Sequence, residues 1–507
     1  MRGKKLPDLP IDEMNVPHKV VERAREAYAS GRTRSLEFRR HQLMQLRKMY
    51  TDNSNTLLKA LVSDLRKPMQ EAMAMEVNEV LQDTTYILNR LDKWVKRQAV
   101  SSPIPFDKSY IYSEPYGVVL VMGSWNYPLH ITMIPFAGAL AAGNVVIIKP
   151  SEVSPATSSV LAKLIPQYLD EECYQVVCGG VSETTQLLQQ RFDYIFYTGS
   201  TAVGKIVRDA ANRFLTPTTL ELGGKSPCYI DHTVDMDLAV RRVLWGKLIN
   251  LGQTCIAPDY VLCSEDVQEQ FVKKAKAALH EWYGDDPQKS PDLARIVSER
   301  HVKRLESYLE CGTVAVGGRC DRSDLWVEPT LLVDVAKDSA IMQEEIFGPI
   351  LPFINVKTHA EAIAFINKRS ERPLALYVFS REEEVMEAFV QQVSCGGITL
   401  NDTIFHFGNK ELPFGGVGGS GMGSYHGRYT FDTFTHKKAC LARTYNPIIE
   451  KVLRARFPPY TEGKMKVMTS HRDRGEGRGL LHHLALLTTH LLALALGALL
   501  YYHLYMD

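Results

Sequence analysis

The sequence predicts an α/β protein built on a doubly wound parallel sheet, and two observations support this prediction. Four short apolar runs recur between residues 117 and 199 at intervals of about 25 residues: GVVLVMG, NVVIIKP, YQVVCGG and YIFYTG. Continuous apolar runs are typical of strands buried on both faces of a parallel sheet. Segments of helical character separate the runs, and strand–helix–strand units at this spacing indicate a dinucleotide-type domain.

The segments on either side of these runs are also predicted to be regular. Charged, amphipathic stretches predict helices over residues 20–50 and 53–97, and the proline-rich stretch 101–106 ends them. After residue 222, strand and helix candidates alternate again and predict a second α/β domain, with a boundary near ELGGKSP. Its strand candidates are residues 226–230, 260–263, 330–334, 374–379 and 397–400, and its helix candidates include 267–282 and 383–393.

The composition limits the class of protein. The chain has 507 residues, of which 45% are hydrophobic and 23% charged, and its formal net charge is +1. A chain this long needs at least two hydrophobic cores, so at least two domains are expected. The balanced charge argues against a nucleic-acid-binding protein. Nine cysteines without a CxxC pair argue against a disulfide framework and fit a reducing compartment, and we expect no metal site.

Cys255 and Glu221 are the candidates for covalent and acid–base chemistry. Cys255, in GQTCIAP, lies between a helical run and Pro258, where a turn would make its sulfur accessible. A thiolate there is a nucleophile if its pKa is lowered or a base is near. Glu221 ends an apolar strand before two glycines, so its carboxylate can face a cleft. Taken singly, an inert buried thiol and a surface glutamate are the favoured interpretations of the two residues.

Two further strand ends are candidates for binding a nucleotide. GSTAVG, from Gly199 to Gly204, follows the strand YIFYT and opens a helix, where glycines and the helix N-terminus favour a phosphate. KPSE, with Lys149 and Glu152, follows NVVII at the edge where a doubly wound sheet binds its ligand. These two side chains can bind ribose hydroxyls. An ordinary turn and a solvated loop remain the alternatives, because GSTAVG is not the GxGxxG fingerprint.

Two more motifs carry polar groups near predicted turns. GSWNYP ends the strand GVVLVM, and the amide of Asn126 within it can donate a hydrogen bond to a developing oxyanion. EEIFGP places a carboxylate, Glu345, beside Phe347 and a Gly-Pro turn. Neither motif is diagnostic by itself.

Taken together, these segments resemble the aldehyde dehydrogenase superfamily. WNYP, KPSE, FYTGSTAVG, LELGGKSP, GQTC, EEIFGP and PFGGVGGSGMG occur in the family's order and at about its spacing, over residues 20–441. GQTCIAPDY, GGKSPCYID, the short N-terminus and FDTFTHKK are most similar to class 3, which includes the membrane-bound fatty aldehyde dehydrogenases. Leu251 and Gly419 depart from commoner patterns, and neither has an expected catalytic role.

The resemblance implies an NAD-dependent oxidation of aldehydes to carboxylic acids. It implies that Cys255 is the nucleophile, that Asn126 and the Cys255 backbone N–H bind the oxyanion, and that Glu221 is the base that activates water. It also implies cofactor contacts by Lys149, Glu152, Gly199, Ser200, Gly204, Glu345 and Phe347. The carboxylate of Glu152 favours NAD, although class 3 enzymes can also use NADP.

The resemblance also implies a domain organisation and a dimer. An NAD-binding domain is expected over residues 1–97 and 116–222, and a catalytic domain over 223–400. A β-hairpin oligomerisation arm is expected from residues 98–115 and 401–445. Class 3 members are typically dimers, so a homodimer is expected.

The tail, residues 484–502, reads LALLTTHLLALALGALLYY and carries no formal charge with histidine neutral. As a helix it is about 28 Å long, close to the thickness of a hydrocarbon core. We expect a C-terminal membrane anchor with the catalytic domain in the cytosol, at the endoplasmic reticulum. A peripheral amphipathic helix, or a helix that covers a groove on a partner, is the alternative.

These features predict an enzyme for medium- to long-chain aliphatic aldehydes. One alternative is a dehydrogenase for aromatic or short aldehydes whose tail has another purpose. A CoA-dependent acylating enzyme would use a similar cysteine, but Glu221 as a deacylating base argues against it. The remaining alternative is a non-catalytic structural protein on this fold. The joint presence of Cys255, Glu221 and Asn126 argues against that alternative.

Overall fold

A computed structural model describes residues 16–102, 107–369, 371–443 and 445–469. Its helices, in chain order, are α1 (Pro17–Ala29), α2 (Leu36–Asp52), α3 (Ser54–Leu65), α4 (Met69–Ala72), α5 (Asn78–Trp94), α6 (His130–Ala142), α7 (Pro155–Tyr168), α8 (Val181–Leu188), α9 (Thr201–Asn212), α10 (Met236–Leu248), α11 (Glu265–Tyr283), α12 (Glu299–Tyr308), α13 (His359–Lys368), α14 (Glu383–Gln392), α15 (Gly427–Thr433), α16 (Pro447–Leu453) and α17 (Glu462–Thr469). A single π-helical turn, Met73–Val77, joins α4 to α5.

The strands, in chain order, are β1 (Gln98–Val100), β2 (Lys108–Pro115), β3 (Val118–Met122), β4 (Val145–Lys149), β5 (Tyr174–Val176), β6 (Tyr194–Thr198), β7 (Thr218–Glu221), β8 (Pro227–Ile230), β9 (Tyr260–Cys263), β10 (Thr313–Val316), β11 (Cys320–Asp321), β12 (Trp326–Val327), β13 (Thr330–Val333), β14 (Ile350–Asn355), β15 (Ala375–Phe379), β16 (Gly397–Leu400), β17 (Gly421–Met422) and β18 (Thr435–Ala442).

The chain divides into two compact units. The first comprises the described residues within 16–95 and 114–436, and it contains a six-stranded sheet of order β17-β7-β6-β3-β4-β5. All of its strand pairs are parallel except β17 with β7. Every residue of β3 and β4 is buried, as expected for continuous apolar strands covered on both faces. The predicted doubly wound parallel sheet is therefore present.

A seven-stranded sheet of order β10-β13-β14-β9-β8-β15-β16 lies in the same unit and is parallel except at β10. It matches the second α/β region of the sequence prediction. Strands β9 and β16 have the predicted bounds, and the predicted helix over 267–282 is α11. The two-stranded ladder of β11 and β12 was not predicted.

The long predicted N-terminal helices are interrupted where local residues oppose a helix. Between α1 and α2, the Ser35 hydroxyl accepts a hydrogen bond from the Phe38 N–H and starts a new helix. After α3, Arg66 adopts a left-handed conformation (φ 49°) and Pro68 follows, so the helix cannot continue. The predicted helix over 53–97 is therefore three pieces joined by a short connection and the π turn.

The second unit comprises the described residues within 96–113 and 437–469. It contains the three-stranded sheet β1-β2-β18, in which β1 and β2 are antiparallel and pair Gln98 with Ile111. Arg443 bonds the buried carboxylate of Asp107 at 2.9 Å and ties the two chain segments together. The predicted hairpin arm begins in this unit, and its role in assembly remains a prediction.

The predicted membrane anchor at 484–502 lies outside the described residues. Among the residues that are described, no helix combines the length and the apolar character needed to cross a bilayer.

Candidate active site

One cavity of about 470 Å³ is lined by most of the residues that the sequence analysis identifies as candidates. It lies within the first unit. Strands β6 and β7 are in register at their ends, with Thr198 opposite Glu221, so the carboxyl edge of the six-stranded sheet supplies one wall. Cys255 and Glu345 supply another wall, and they precede β9 and β14, two adjacent parallel strands of the other sheet. The cavity therefore lies where the carboxyl edge of one sheet and the amino side of the other provide residues to the same space.

Cys255 lines this cavity at the end of an unusual loop. Asn250 and Leu251 both have positive φ, near 52°, and Gly252 follows at 76°. A Cβ at residue 252 would lie 2.2 Å from the carbonyl oxygen of Gly348, so only glycine allows this close approach. Left-handed non-glycine residues cost about 1–3 kcal/mol each, and they persist where surrounding contacts enforce them. The loop is therefore held by its contacts rather than by local preference.

The thiol of Cys255 is neutral in this environment. Burial raises its pKa above the ordinary value, and the nearby carboxyl groups of Glu345 and Glu221 raise it further. Backbone N–H groups of Cys255 and Ile256 act in the opposite direction. Reaction as a thiolate therefore requires removal of a proton by a base inside the cavity.

Glu221 is another titratable group of the cavity. It ends β7 with 3% of its surface exposed, and neither carboxyl oxygen has a hydrogen-bond partner within the described structure. Burial raises the pKa of Glu221 well above its usual range. A carboxyl group with a raised pKa is a stronger base, when ionised, than an exposed one, a property that general acid–base catalysis uses.

Asn126 is buried beside the loop of residues 250–255, called the nucleophile loop below after the role that the sequence prediction gives Cys255. Its side-chain amide donates one hydrogen bond to the Gln253 carbonyl oxygen at 3.1 Å. An amide NH₂ has two donors, so this contact leaves the second for another acceptor. Because both Asn126 and Cys255 line the cavity, that donor is available to an oxygen of a bound molecule.

The glycine-rich turn after β6 forms the opposite end of the cavity. Gly199 and Ser200 line it, and the Ser200 hydroxyl caps α9 by accepting the Val203 N–H at 3.4 Å. A Cβ on residue 199 would lie 2.2 Å from the Tyr197 hydroxyl oxygen, so a side chain there would fill this space. Gly204 instead packs within α9 against Leu222 and does not line the cavity.

Lys149 and Glu152 lie at the same sheet edge but outside the cavity lining. Lys149 ends β4 in register with Met122, and its ammonium pairs with the Glu152 carboxylate at 2.6 Å. The Lys149 side chain is buried, whereas 46% of the Glu152 side chain is exposed. Two apolar side chains on α9, Val203 and Ile206, are 40% and 60% exposed on the helix that follows the glycine-rich turn.

Glu345 and Phe347 line the cavity between its two ends. Glu345 has one buried carboxyl oxygen without a partner, and burial and Asp259 raise its pKa. The Lys225–Asp259 ion pair holds this segment, because Asp259 accepts the Ile346 N–H at 3.1 Å. Phe347 has a φ of 50° and meets Trp125 edge-on at 5.4 Å.

The sequence prediction missed an aromatic wall of the cavity. His130 stacks on Phe407 with centroids 5.5 Å apart, and His426 stacks on Phe414 at 5.1 Å. Burial lowers the pKa of His130 to about 3 and that of His426 well below its usual range, so both imidazoles are neutral. Of these residues, His130 lies close to the quoted motif WNYP and Phe414 lies within PFGGVGGSGMG. The others come from the 400–426 segment, which has no regular pattern.

Comparison with known proteins agrees with this geometry. The profile of the aldehyde dehydrogenase family matches residues 8–440. Mouse aldehyde dehydrogenase family 3 member A2 is 50% identical over 88% of this chain and 92% of its own length. A rat protein named aldehyde dehydrogenase, dimeric NADP-preferring, is 51% identical over 87% of this chain and 97% of its own.

Solved structures are similar as well. A substrate-bound structure of AldH from Staphylococcus aureus has a TM-score of 0.86 and 41% identity over 91% of this chain and all of that one. Betaine aldehyde dehydrogenase from the same organism, in complex with NAD⁺, has a TM-score of 0.77 and 27% identity, covering 85% and 87% of the two chains. The chain belongs to the aldehyde dehydrogenase family.

Proposed function

We propose that this protein oxidises medium- to long-chain aliphatic aldehydes to carboxylic acids with NAD, and with NADP as a second cofactor. The observation that supports it most is the convergence of Cys255, Glu221 and Asn126 on one cavity whose other end is the glycine-rich turn of a dinucleotide-type sheet. Each group supplies a different part of one covalent mechanism; Asn126 and Glu221 are buried, and Cys255 is partly buried.

In this mechanism the Cys255 thiol loses its proton to a base in the cavity and its sulfur attacks the aldehyde carbon. The carbonyl oxygen becomes negatively charged, and it accepts hydrogen bonds from the Asn126 amide and the Cys255 backbone N–H. A bound nicotinamide would supply the two-electron oxidant by accepting the hydride that the adduct carbon loses. Oxidation of the tetrahedral adduct leaves a thioester on Cys255. Glu221 then takes a proton from water, the water oxygen attacks the thioester, and the carboxylic acid leaves with the sulfur as leaving group.

The residues present fit a dinucleotide. Gly199 leaves room for a phosphate at the start of α9, where backbone N–H groups favour an anion. The exposed faces of Val203 and Ile206 provide an apolar surface for an adenine ring, and Lys149 with Glu152 would hold the adjacent ribose. The unpartnered oxygen of Glu345 would accept a hydroxyl of the nicotinamide ribose beside Phe347.

The aliphatic substrate follows from the cavity wall and the tail. The wall combines aromatic rings with neutral imidazoles, so it suits an apolar chain better than a charged one. The tail at 484–502 would anchor the enzyme to the endoplasmic reticulum membrane with the catalytic units in the cytosol, where long-chain aldehydes partition. A chain that ends after residue 469 should then appear in the soluble fraction, whereas the full chain should sediment with membranes until detergent is added. If the shortened chain and the full chain fractionate alike, the result would contradict the proposed membrane anchor.

Two further parts of the proposal concern the alternative substrate and assembly. The aromatic wall, with Trp125, Phe407 and Phe414, also favours a flat aromatic aldehyde, which makes such aldehydes the second candidate substrates. The rat relative's name describes it as dimeric. By that similarity, and from the hairpin arm, we propose a homodimer.

The experiment that tests the proposal is NADH production by the detergent-solubilised full chain with hexadecanal, benzaldehyde and propanal. Cys255→Ala is the control for each substrate. Turnover of hexadecanal with the highest kcat/KM and its loss in Cys255→Ala is the expected result. Turnover of benzaldehyde or propanal alone would support the dehydrogenase activity and contradict the proposed long-chain substrate. No reduction of NAD or NADP by folded protein would overturn the proposal.

A further inference from the structure

A fully buried ion pair lies beside the cavity without a role in the mechanism above. The ammonium of Lys67 and the carboxylate of Glu76 are 2.5 Å apart, and both side chains have no exposed surface. Glu76 is on the π-helical turn between α4 and α5, a rare local structure that is frequent at functional sites. A buried ion pair gives little net stability compared with packed apolar residues. Stability alone therefore does not account for it.

Both members of the pair bond to the backbone of residues 126–130, which overlap and follow the WNYP motif. Lys67 Nζ donates to the carbonyl oxygen of Asn126 at 2.7 Å. Glu76 Oε2 accepts the N–H groups of Leu129 and His130, at 2.9 and 3.2 Å, where α6 begins. The ammonium also lies 3.8 Å from the centroid of the Tyr127 ring. The segment from Asn126 to His130 is thus held at one end by the cation and at the other by the carboxylate.

The same carbonyl connects this pair to the nucleophile loop. The side chain of Asn250 donates to the Asn126 carbonyl oxygen at 2.9 Å and to the Gln253 carbonyl oxygen at 3.0 Å. The Asn126 amide donates to that Gln253 oxygen as well. Asn126 and the loop that ends at Cys255 therefore share one hydrogen-bond network. Displacement of the Asn126 backbone would move the amide relative to Cys255.

We propose that Lys67 and Glu76 are positioning residues that fix the Asn126 amide as the donor to the oxyanion formed at Cys255. The proposal rests on the proposed function. Neither side chain touches the reacting atoms, and both act through the backbone of residues 126–130. A displacement of about 1 Å at a group of this kind lowers rates by about 10²-fold. The pair thus sets the rate of the chemical steps rather than the affinity for the cofactor.

The test uses the double variant Lys67→Met/Glu76→Gln, which removes both charges of the pair. The expected result is a kcat lower by roughly 10- to 100-fold, with the KM for NAD changed by less than about twofold. The alkylation rate of Cys255 by iodoacetamide should stay within about twofold of the parent, because alkylation forms no oxyanion. If this variant does not fold, Glu76→Gln alone keeps an acceptor for the two N–H groups and should show a smaller loss of kcat.

The decisive comparison introduces the same Lys67/Glu76 substitutions into the Asn126→Ala variant. If the pair acts through the Asn126 amide, its removal should lower kcat by less than about threefold once that amide is absent. An equal fold-loss of kcat in both backgrounds would overturn the proposal, as would a double variant with the kcat of the parent.

The matched control is Lys410→Met/Glu79→Gln. It removes another largely buried ion pair, whose carboxylate lies three residues after Glu76 on the adjoining helix α5. This control should lower the melting temperature and keep kcat within about threefold of the parent. A kcat loss as large as that of the Lys67/Glu76 variant would assign the effect to helix stability and overturn the proposal. The parent's own NADH production tests the proposed function separately.

Discussion

The two ends of the cavity differ in how their groups are held. At the cysteine end, Asn126 and Glu221 are 4% and 3% exposed, and the nucleophile loop is fixed by buried hydrogen bonds. At the nucleotide end, just outside the cavity lining, Ile206 is 60% exposed and nearly half of the Glu152 side chain is exposed. Groups that stabilise charge during a reaction must be dry and preorganised. Groups that only bind a ligand can be exposed to solvent in the free protein, because the bound ligand covers them.

This comparison predicts that substitutions at the two ends have different kinetic signatures. Changes at the cysteine end should lower kcat, whereas changes at the nucleotide end should raise the KM for the cofactor and leave kcat nearly intact.

Cys255→Ala should have the largest effect. Removal of the only nucleophile in the proposed mechanism should lower kcat by at least about 10⁴-fold. NAD affinity should stay within about threefold of the parent, measured by quenching of tryptophan fluorescence, because the nucleotide end is unchanged. A variant that kept a tenth of the parent's rate would show that the cysteine end does not carry the chemistry.

Glu221→Gln should lower kcat by roughly 10²- to 10³-fold, since water would attack the thioester without a base. It should also change the thiol. The carboxyl group of Glu221 raises the pKa of Cys255, so its removal lowers that pKa and speeds alkylation by iodoacetamide at a fixed pH. A loss of turnover with faster alkylation is the expected combination. Slower alkylation would contradict the electrostatic account of the site.

The same substitution should also stabilise the fold at alkaline pH. Burial raises the pKa of Glu221 in the folded protein, so the folded state binds a proton that the unfolded state has already released. Stability is therefore lost as pH rises above the unfolded value of about 4.5, and Gln removes this loss. The melting temperature of Glu221→Gln should exceed the parent's by more at pH 8 than at pH 5. An equal difference at both pH values would show that Glu221 is not the group responsible.

Gly199→Ala should act at the other end. The added Cβ would collide with the Tyr197 hydroxyl and occupy the space next to α9, so the KM for NAD should rise about tenfold, equivalent to about 1.4 kcal/mol. The kcat at saturating NAD should remain within about threefold of the parent. A large fall in kcat without a change in the KM for NAD would contradict the proposal that the two ends of the cavity have different kinetic roles.

Glu152→Gln should have the smallest effect. Its exposed carboxylate would repel the additional phosphate of NADP, and pairing with Lys149 already weakens that repulsion. Use of NADP relative to NAD should therefore increase by about three- to tenfold, measured as the ratio of kcat/KM values. An unchanged ratio would remove Glu152 from cofactor discrimination.

The sequence predicted the doubly wound sheet well because its strands are continuous apolar runs, and burial on both faces requires that pattern. Cys255, Glu221 and Glu345 stand beside glycine- or proline-containing motifs, but their expected roles came from the resemblance of those motifs, taken together, to a known family. The sequence did not show that these residues share a cavity. That proximity depends on the packing of one sheet's carboxyl edge near the other sheet's amino side.

Other parts could not be predicted from local pattern. The left-handed conformation of Asn250 and Leu251 opposes local preference and is enforced by contacts with residues far along the chain. Lys67 and Glu76 are charged residues in a helical segment, where charge usually indicates solvent, yet both are completely buried. Their partners in residues 126–130 are more than fifty residues away in sequence, so no spacing rule connects them.

The most direct test of the account is the fate of Cys255 in Glu221→Gln during a single turnover with hexadecanal and NAD. The account predicts about one equivalent of NADH per site and a peptide carrying Cys255 whose mass is increased by one acyl group, because the thioester forms but cannot be hydrolysed. Formation of NADH with an unmodified Cys255 peptide, in protein whose multiple-turnover rate is as low as expected, would contradict the covalent mechanism at its centre.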